Sequence, residues 1–117
     1  MYIINNDVGF VKGQTAQLIS GGRFVSMNAS GELQIAQAGT HSTMPAVAFT
    51  AANIASGTVA KFYTNREVPA GTASGLVGQG LYVGCSGLPT LTTTPLLSGN
   101  MVQLCGYKTT NGLNINI

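Results

Sequence analysis

The chain has 117 residues, 44% of them apolar, which is enough to bury one hydrophobic core and excludes a disordered chain. Only 7% of the residues are charged, against roughly 25% in an ordinary soluble protein. The net charge of +2 is too small to indicate a nucleic-acid partner, and no apolar stretch is long enough to span a membrane.

The scarcity of charge leaves Ser, Thr, Asn, Gln, Gly and Ala to cover the surface. Two interpretations remain open: a neutral, Thr-rich β surface that faces solvent, or a surface that is covered in an assembly. Low charge and abundant Gly favour the second. The first ten residues lack the basic start and apolar core of a signal peptide, so synthesis in a cytoplasm is expected.

Short alternating runs between turn residues predict β-strands along the whole chain. Residues 1–10 have an apolar tip and then a polar break, which is typical of an N-terminal arm or an edge strand. Residues 11–117 are predicted to form a single β domain. Its early strands are expected in residues 11–20, 23–27, 32–36, 46–52 and 58–64. Residues 65–75 are predicted to connect two halves of the domain.

The clearest strand pattern lies in residues 80–117, which contain three β runs separated by turn residues. In residues 113–117 apolar residues alternate perfectly with Asn, so one face of this strand is expected to be buried and the other wet. Asn111-Gly112 predicts a tight hairpin turn, because both residues tolerate positive φ.

The two halves of the chain, residues 11–64 and 66–117, look like loose copies of each other. Ser30-Gly31 corresponds to Ser86-Gly87 at an offset of 56, and Phe24-Val25 corresponds to Tyr82-Val83 at an offset of 58. A duplication would place two similar β units in one small all-β fold, either a β-barrel or a β-sandwich of the β-tulip kind. Closing such a fold would remove exposed strand edges.

The groups that support catalysis are too few to predict an enzyme. Asp7, Glu32 and Glu67 are the three carboxylates, and they are far apart in the sequence. His41, the one histidine, lies in a polar loop and is expected to be solvated. We therefore predict no catalytic, cofactor-binding or metal-binding residue.

Three other features also have ordinary structural explanations. Cys85 and Cys105 are expected to be free buried thiols rather than a disulfide. The glycines in residues 75–84 precede a strand and lack the strand-to-helix context of a phosphate-binding loop. The Thr-rich stretch 90–95 offers hydroxyls to a sugar, but the chain has no Trp to serve as a platform.

The strand and turn pattern of the last third resembles that of the small capsid cement, or head decoration, proteins of tailed bacteriophages. It comprises the runs Gly80-Leu81-Tyr82-Val83, Ser86-Gly87, Thr93-Thr94-Pro95 and Met101-Val102-Gln103-Leu104-Cys105-Gly106, followed by a terminal β run. The similarity covers residues 65–117, including Arg66-Glu67-Val68 and Gly71-Thr72-Ala73. It reaches the first half only through the internal repeat.

The resemblance implies a β-rich, commonly trimeric structural protein of the virion that binds the outside of a shell of major capsid protein and stabilises it. It implies no direct contact with nucleic acid or membrane, and synthesis in the host cytoplasm. In some decoration proteins the N-terminal arm contacts the shell, so the capsid-binding residues are expected in the arm, at Tyr2, Ile3, Ile4, Asn5 and Asn6. Two alternatives remain open: a trimeric tail-fibre or baseplate module, and a glycan-binding β domain.

Overall fold

The fold is all-β, as predicted, in a computed structural model that describes residues 9–38, 43–69, 76–84, 87–91 and 103–117. The strands are β1 (Phe10–Gln14), β2 (Arg23–Met27), β3 (Leu33–Ile35), β4 (Gln37–Ala38), β5 (Thr43–Met44), β6 (Ala48–Thr50), β7 (Val59–Tyr63), β8 (Asn65–Pro69), β9 (Gly80–Val83), β10 (Pro89–Thr90), β11 (Leu104–Lys108) and β12 (Gly112–Asn116). Strand β1 begins at Phe10 and lies at an edge of its sheet, and residues 1–8 of the predicted arm or edge strand lie outside the described residues.

The strands form two antiparallel five-stranded sheets and a short ribbon of β4 and β5. The first sheet has the order β1-β7-β6-β2-β3, and the second has the order β10-β9-β11-β12-β8. Side chains from both sheets share one core, which is consistent with a small β-sandwich. Of the two predicted alternatives, the sandwich is confirmed and a closed barrel is not formed. The edges of the first sheet meet only at a single parallel bridge between Thr15 and Leu33, and in the described chain β8 and β10 each pair on one side only.

Each sheet takes its strands from one half of the chain, and the two sheets share one strand order. We number the five sheet strands of each half from one to five in chain order, leaving out β4 and β5. Both sheets then have the order 1-5-4-2-3, with the second sheet listed from β8 to β10. The chain passes from β7 to β8 through Thr64 alone. This arrangement is what a duplication would produce, although the duplication itself stays a prediction.

In the structure, the residues of β2 and β9 that occupy equivalent positions differ by one residue from the expected Phe24–Tyr82 correspondence. Phe24 in β2 and Leu81 in β9 both lie in the core between the sheets. Their successors, Val25 and Tyr82, lie on the opposite face of their sheets. Phe24 therefore corresponds to Leu81 rather than to Tyr82, because a slip of one residue exchanges the two faces of a strand.

Two groups of buried side chains stabilise the fold. The inter-sheet core contains residues of both halves: Phe24, Ala36, Ala46, Phe49, Val68, Leu81, Val83, Cys105, Leu113 and Ile115. A second core, on the far face of the first sheet, contains residues of the first half alone: Ile19, Val25, Leu33, Ala48 and Phe62. The first sheet is thus covered on both faces over its centre, whereas the described residues give the second sheet a core on one face.

Two connections cover the far face of the first sheet. Ile19 follows β1 and Ile54 follows β6, and each donates its backbone N–H to the other's carbonyl oxygen, at 2.9 and 2.8 Å. In the second half, β11 and β12 are joined by residues 109–111 alone. The second sheet therefore has no counterpart of the long connection 51–58 over its outer face.

The final hairpin is confirmed, but its turn is not the predicted one. Leu113 and Ile115 are buried in the inter-sheet core, as the alternation in residues 113–117 predicts. Gly112, however, belongs to β12 and does not adopt a positive φ. The hydroxyl of Thr109 accepts a hydrogen bond from the Gly112 N–H at 3.0 Å, so this side chain closes the turn.

The segment predicted to connect the halves begins with a strand. Asn65–Pro69 forms β8, which pairs with β12 along its whole length. Sequence patterning missed it because its first three side chains, Asn65, Arg66 and Glu67, are polar and exposed, and Val68 alone among residues 65–68 enters the core. The rest of the predicted connection, residues 70–75, lies outside the described residues.

Gln103 joins the two halves by hydrogen bonds that imitate a backbone pair. Its amide Nε2 donates to the carbonyl oxygen of Ala46 at 3.0 Å, and the Ala46 N–H donates to its Oε1 at 2.8 Å. Ala46 is buried, so these backbone groups cannot exchange their partner for bulk water.

We expect Gln103→Leu to lower the free energy of unfolding by about 1–3 kcal/mol, since it leaves a buried donor and a buried acceptor unpaired. Urea denaturation monitored by circular dichroism measures the change. Gln14→Leu is the matched control, because Gln14 is exposed and makes one hydrogen bond, to the Gly57 carbonyl oxygen at 3.1 Å. Equal losses in the two variants would contradict a special role of Gln103.

Candidate functional site

The arm residues predicted to bind the capsid, Tyr2, Ile3, Ile4, Asn5 and Asn6, lie outside the described residues, as do His41 and Cys85. The described chain begins at Gly9. Its carbonyl oxygen accepts hydrogen bonds from the N–H groups of Thr64 and Asn65, at 2.8 and 3.3 Å. Residues 1–8 are therefore attached where the chain crosses from the first sheet to the second.

The carboxylates that the structure describes serve local turns. Glu32 accepts a hydrogen bond from the Asn28 amide at 3.3 Å, and Glu67 accepts one from the Thr109 hydroxyl at 2.5 Å. In the described part of the chain, no three His, Cys, Asp or Glu side chains lie close enough together to hold a metal ion. The same part contains no helix that is long and apolar enough to cross a membrane.

Cys105 is a free thiol in the inter-sheet core, with no exposed surface. Burial disfavours the thiolate and raises the pKa of this thiol from 9.0 to about 11. Since the thiolate is the reactive form, the site is that of an inert structural cysteine.

We expect Cys105 to resist alkylation by iodoacetamide at pH 8 in the folded protein and to react fully after unfolding. A Cys85→Ser background leaves this thiol as the only reporter. The raised pKa also predicts that its contribution to stability is complete below about pH 9 and is lost as the pH rises through about 11. Rapid stoichiometric labelling of the native protein would contradict this assignment.

The outer face of the second sheet carries two exposed side chains, Leu104 and Tyr107, and the half-buried Tyr82, and we call these three residues the apolar face. Tyr82 and Leu104 are directly opposite each other in β9 and β11. Both side chains lie over Gly80, where an added Cβ would stand 2.9 Å from Tyr82 and 3.1 Å from Leu104. Leu104 is 62% exposed and Tyr107 is 44% exposed. This face corresponds to the face that the 51–58 connection covers in the first half.

A polar row borders the apolar face. Tyr107 pairs with Asn114, and Asn114 pairs with Glu67 in β8, so the three residues cross the sheet side by side. Because directly opposite residues share a face, the phenol, amide and carboxylate are expected on the same outer surface as Leu104. An aromatic ring beside hydrogen-bonding groups is a combination that also suits a sugar.

A second surface lies on the first sheet, beside the inter-sheet core. We call it the cationic–aromatic face: Phe10, Lys12, Lys61, Tyr63 and Arg66. In the register of β1 with β7, Phe10 is opposite Tyr63 and Lys12 is opposite Lys61. The Nζ atom of Lys61 lies 4.8 Å from the centre of the Phe10 ring, and the guanidinium carbon of Arg66 lies 4.3 Å from the centre of the Tyr63 ring.

The cationic–aromatic face was missed in the sequence, where the five cationic residues look scattered. The structure brings three of them together because β1 and β7 pair and β8 follows β7 directly. The alternation within each strand does place Phe10 with Lys12, and Lys61 with Tyr63, on one side of its own strand. The pairing of two strands so far apart in the chain leaves no local signal.

These two faces are candidate surfaces for recognition of a partner, and each is built from side chains of several strands. When the chain is compared with family models, with curated proteins and with solved structures, no match is found.

Proposed function

We propose that this protein is a structural component of a virion that binds the outside of a bacteriophage capsid shell and stabilises it as a cement or decoration protein. The observation that carries the proposal is the open apolar face. The equivalent face in the first half is closed by a connection that the second half lacks.

Exposure of the apolar face to water is unfavourable, so binding to a partner that covers this face would lower the free energy. Each Å² of apolar surface removed from water contributes about 25 cal/mol. Leu104, at 62% exposure, has much of its side chain left to bury. A chain with 7% charged residues also has few charges to desolvate when its surface is covered. The nature of the partner, a major capsid protein, rests on the resemblance of residues 65–117.

The mechanism we propose is mechanical. A protein that binds several subunits of an expanded shell, and does not bind the separated subunits, stabilises the shell by linkage. A homotrimer would present three apolar faces at once, so that weak contacts at each face add up to a high overall affinity.

The test begins with the solution mass of the purified protein and continues with cosedimentation on expanded phage heads that lack decoration. We expect a trimer that pellets with the heads and raises the temperature at which they release DNA. A protein that stays in the supernatant at every concentration would overturn the proposal.

The apolar face itself is tested by the double variant Leu104→Ser/Tyr107→Ser. We expect it to keep the fold, because both side chains point away from the cores, and to lose occupancy on the heads. Met27→Ser is the matched control, since Met27 is 52% exposed but lies on the first sheet. Equal occupancy of the double variant and the wild type would remove this face from the interface.

The predicted role of the arm has its own test. Deletion of residues 2–6 should reduce occupancy on expanded heads without changing the far-ultraviolet circular dichroism of the domain, because β1 begins after them. Unchanged occupancy would exclude Tyr2–Asn6 from the contact.

A glycan-binding domain is the second candidate, and the polar row of Tyr107, Asn114 and Glu67 is the observation that favours it. A glycan array distinguishes the two functions. Specific sugar binding by a monomer that Asn114→Ala abolishes, with no binding to heads, would favour this candidate. Sugar binding by an elongated trimer would instead favour a tail-fibre or baseplate module.

A further inference from the structure

Three of the five cationic residues of the chain converge on the cationic–aromatic face, which the proposed function does not use. Lys12 and Lys61 are exposed and directly opposite each other, and Arg66 joins them from the neighbouring strand β8. Like charges at directly opposite positions of an antiparallel pair destabilise a sheet. The repulsion between these positive charges is therefore unfavourable, and a bound anionic partner would reduce it.

Among the described residues, no Asp or Glu side chain is paired with a cation of this face. Glu32 is engaged with Asn28, and Glu67 lies on the opposite side of β8 from Arg66, where it is engaged with Thr109. Asp7 lies outside the described residues. The face therefore has complementarity for an anion from elsewhere.

The geometry of the two aromatic rings indicates what kind of anion fits. Single-stranded nucleic acid is usually bound by aromatic rings on which its bases stack. Here a cation of the chain itself already lies over each ring, Lys61 over Phe10 and Arg66 over Tyr63. A guanidinium held over a ring keeps its in-plane N–H donors, which match a carboxylate in a bidentate pair. Base stacking would have to displace both cations, whereas carboxylates can be bound without displacing either.

We propose that the cationic–aromatic face binds a carboxylate-rich protein surface. In the capsid this would be an acidic strand or loop of the shell, and that identification rests on the proposed function. The apolar face and this face would then be two separate contacts, one driven by burial and the other by charge.

The direct test is a titration of the protein with hexaglutamate at low ionic strength, monitored by amide chemical shifts. We expect shifts confined to β1, β7 and the start of β8, and an affinity reduced roughly tenfold in Lys12→Gln/Lys61→Gln, which loses two exposed ion pairs. Ser30→Glu/Thr110→Glu is the matched control. It lowers the net charge by the same amount at two exposed turns on other parts of the surface.

Two results would overturn the proposal. One is an absence of shifts at β1 and β7 up to millimolar hexaglutamate. The other is tighter binding of an oligothymidylate of equal length, which would assign the face to nucleic acid. Thermal melting at low salt checks the fold: Lys12→Gln should melt no lower than the wild type, because it relieves a repulsion.

Cosedimentation with heads separates this proposal from the proposed function. Wild-type protein that does not pellet contradicts the cement function, and the hexaglutamate titration then decides the carboxylate site alone. If the wild type pellets, its occupancy should fall as the ionic strength rises, and should fall further in Lys12→Gln/Lys61→Gln than in the control pair. Equal occupancy of both pairs at all salt concentrations would show that this face does not contact the shell.

Discussion

Gly106→Ala should lower the free energy of unfolding by about 3–5 kcal/mol, a large fraction of the stability of a domain of this size. Gly106 has a φ of 146° in the middle of β11, where the register with β9 shifts. A Cβ at this position would overlap the carbonyl oxygen of Asn114 in the paired strand β12. An alanine would be strained at this φ and would also overlap backbone atoms of β12. Movement of a side chain can relieve neither effect.

The control is Gly31→Ala, which separates strain in φ from steric overlap. Gly31 also has a positive φ, of 81°, but an added Cβ there meets nothing within 4 Å. Its substitution should cost about 1–2 kcal/mol. Urea denaturation of both variants measures the difference, and a Gly106→Ala protein as stable as Gly31→Ala would show that β11 and β12 do not pack as described.

Phe24→Ala should have an effect of similar size, about 3–5 kcal/mol, because it creates a cavity in the core that the two sheets share. Phe24 is completely buried, and its ring meets that of Phe49 edge to face, with centroids 5.1 Å apart and planes at 68°. Since the cavity lies between the sheets, amide hydrogen exchange should accelerate in both halves.

Phe62→Ala provides the comparison, because Phe62 is equally buried but lies in the core of the first half alone. It should cost a similar free energy but accelerate local exchange mainly in the first sheet. Faster exchange confined to the first sheet in Phe24→Ala as well would mean that the two sheets are stabilised independently.

The strand positions could be predicted from the sequence wherever alternation and turn residues agree. Leu113 and Ile115 show this, because their Asn neighbours mark the outer face of β12. Strand β8 could not be predicted, since three of its residues, Asn65, Arg66 and Glu67, are polar and show no apolar alternation. The turn at Asn111-Gly112 was assigned to the wrong residues because the Thr109 side chain satisfies backbone groups that a primed turn would otherwise satisfy.

The candidate surfaces were less accessible to sequence reasoning than the strands. Tyr82 and Leu104 belong to separate β runs, and nothing local shows that their side chains meet over Gly80. Lys12 and Lys61 are opposite each other because of the register of β1 with β7. These two strands lie at the two ends of the first half of the chain, so no local pattern predicts their pairing. The predicted contact residues, Tyr2–Asn6, lie outside the described residues and stay a prediction.

The crossover at Thr64 holds both ends of the described chain. Its N–H donates to Gly9 at 2.8 Å, and its carbonyl oxygen accepts from Ile117 at 2.9 Å. Gly9 and Ile117 both bond to Thr64, so a circular permutant that joins Ile117 to Met1 and opens the chain between the exposed turn residues Ala29 and Ser30 should retain the topology. The described chain therefore enters the domain at Gly9 and leaves it at Ile117 beside the same residue, Thr64.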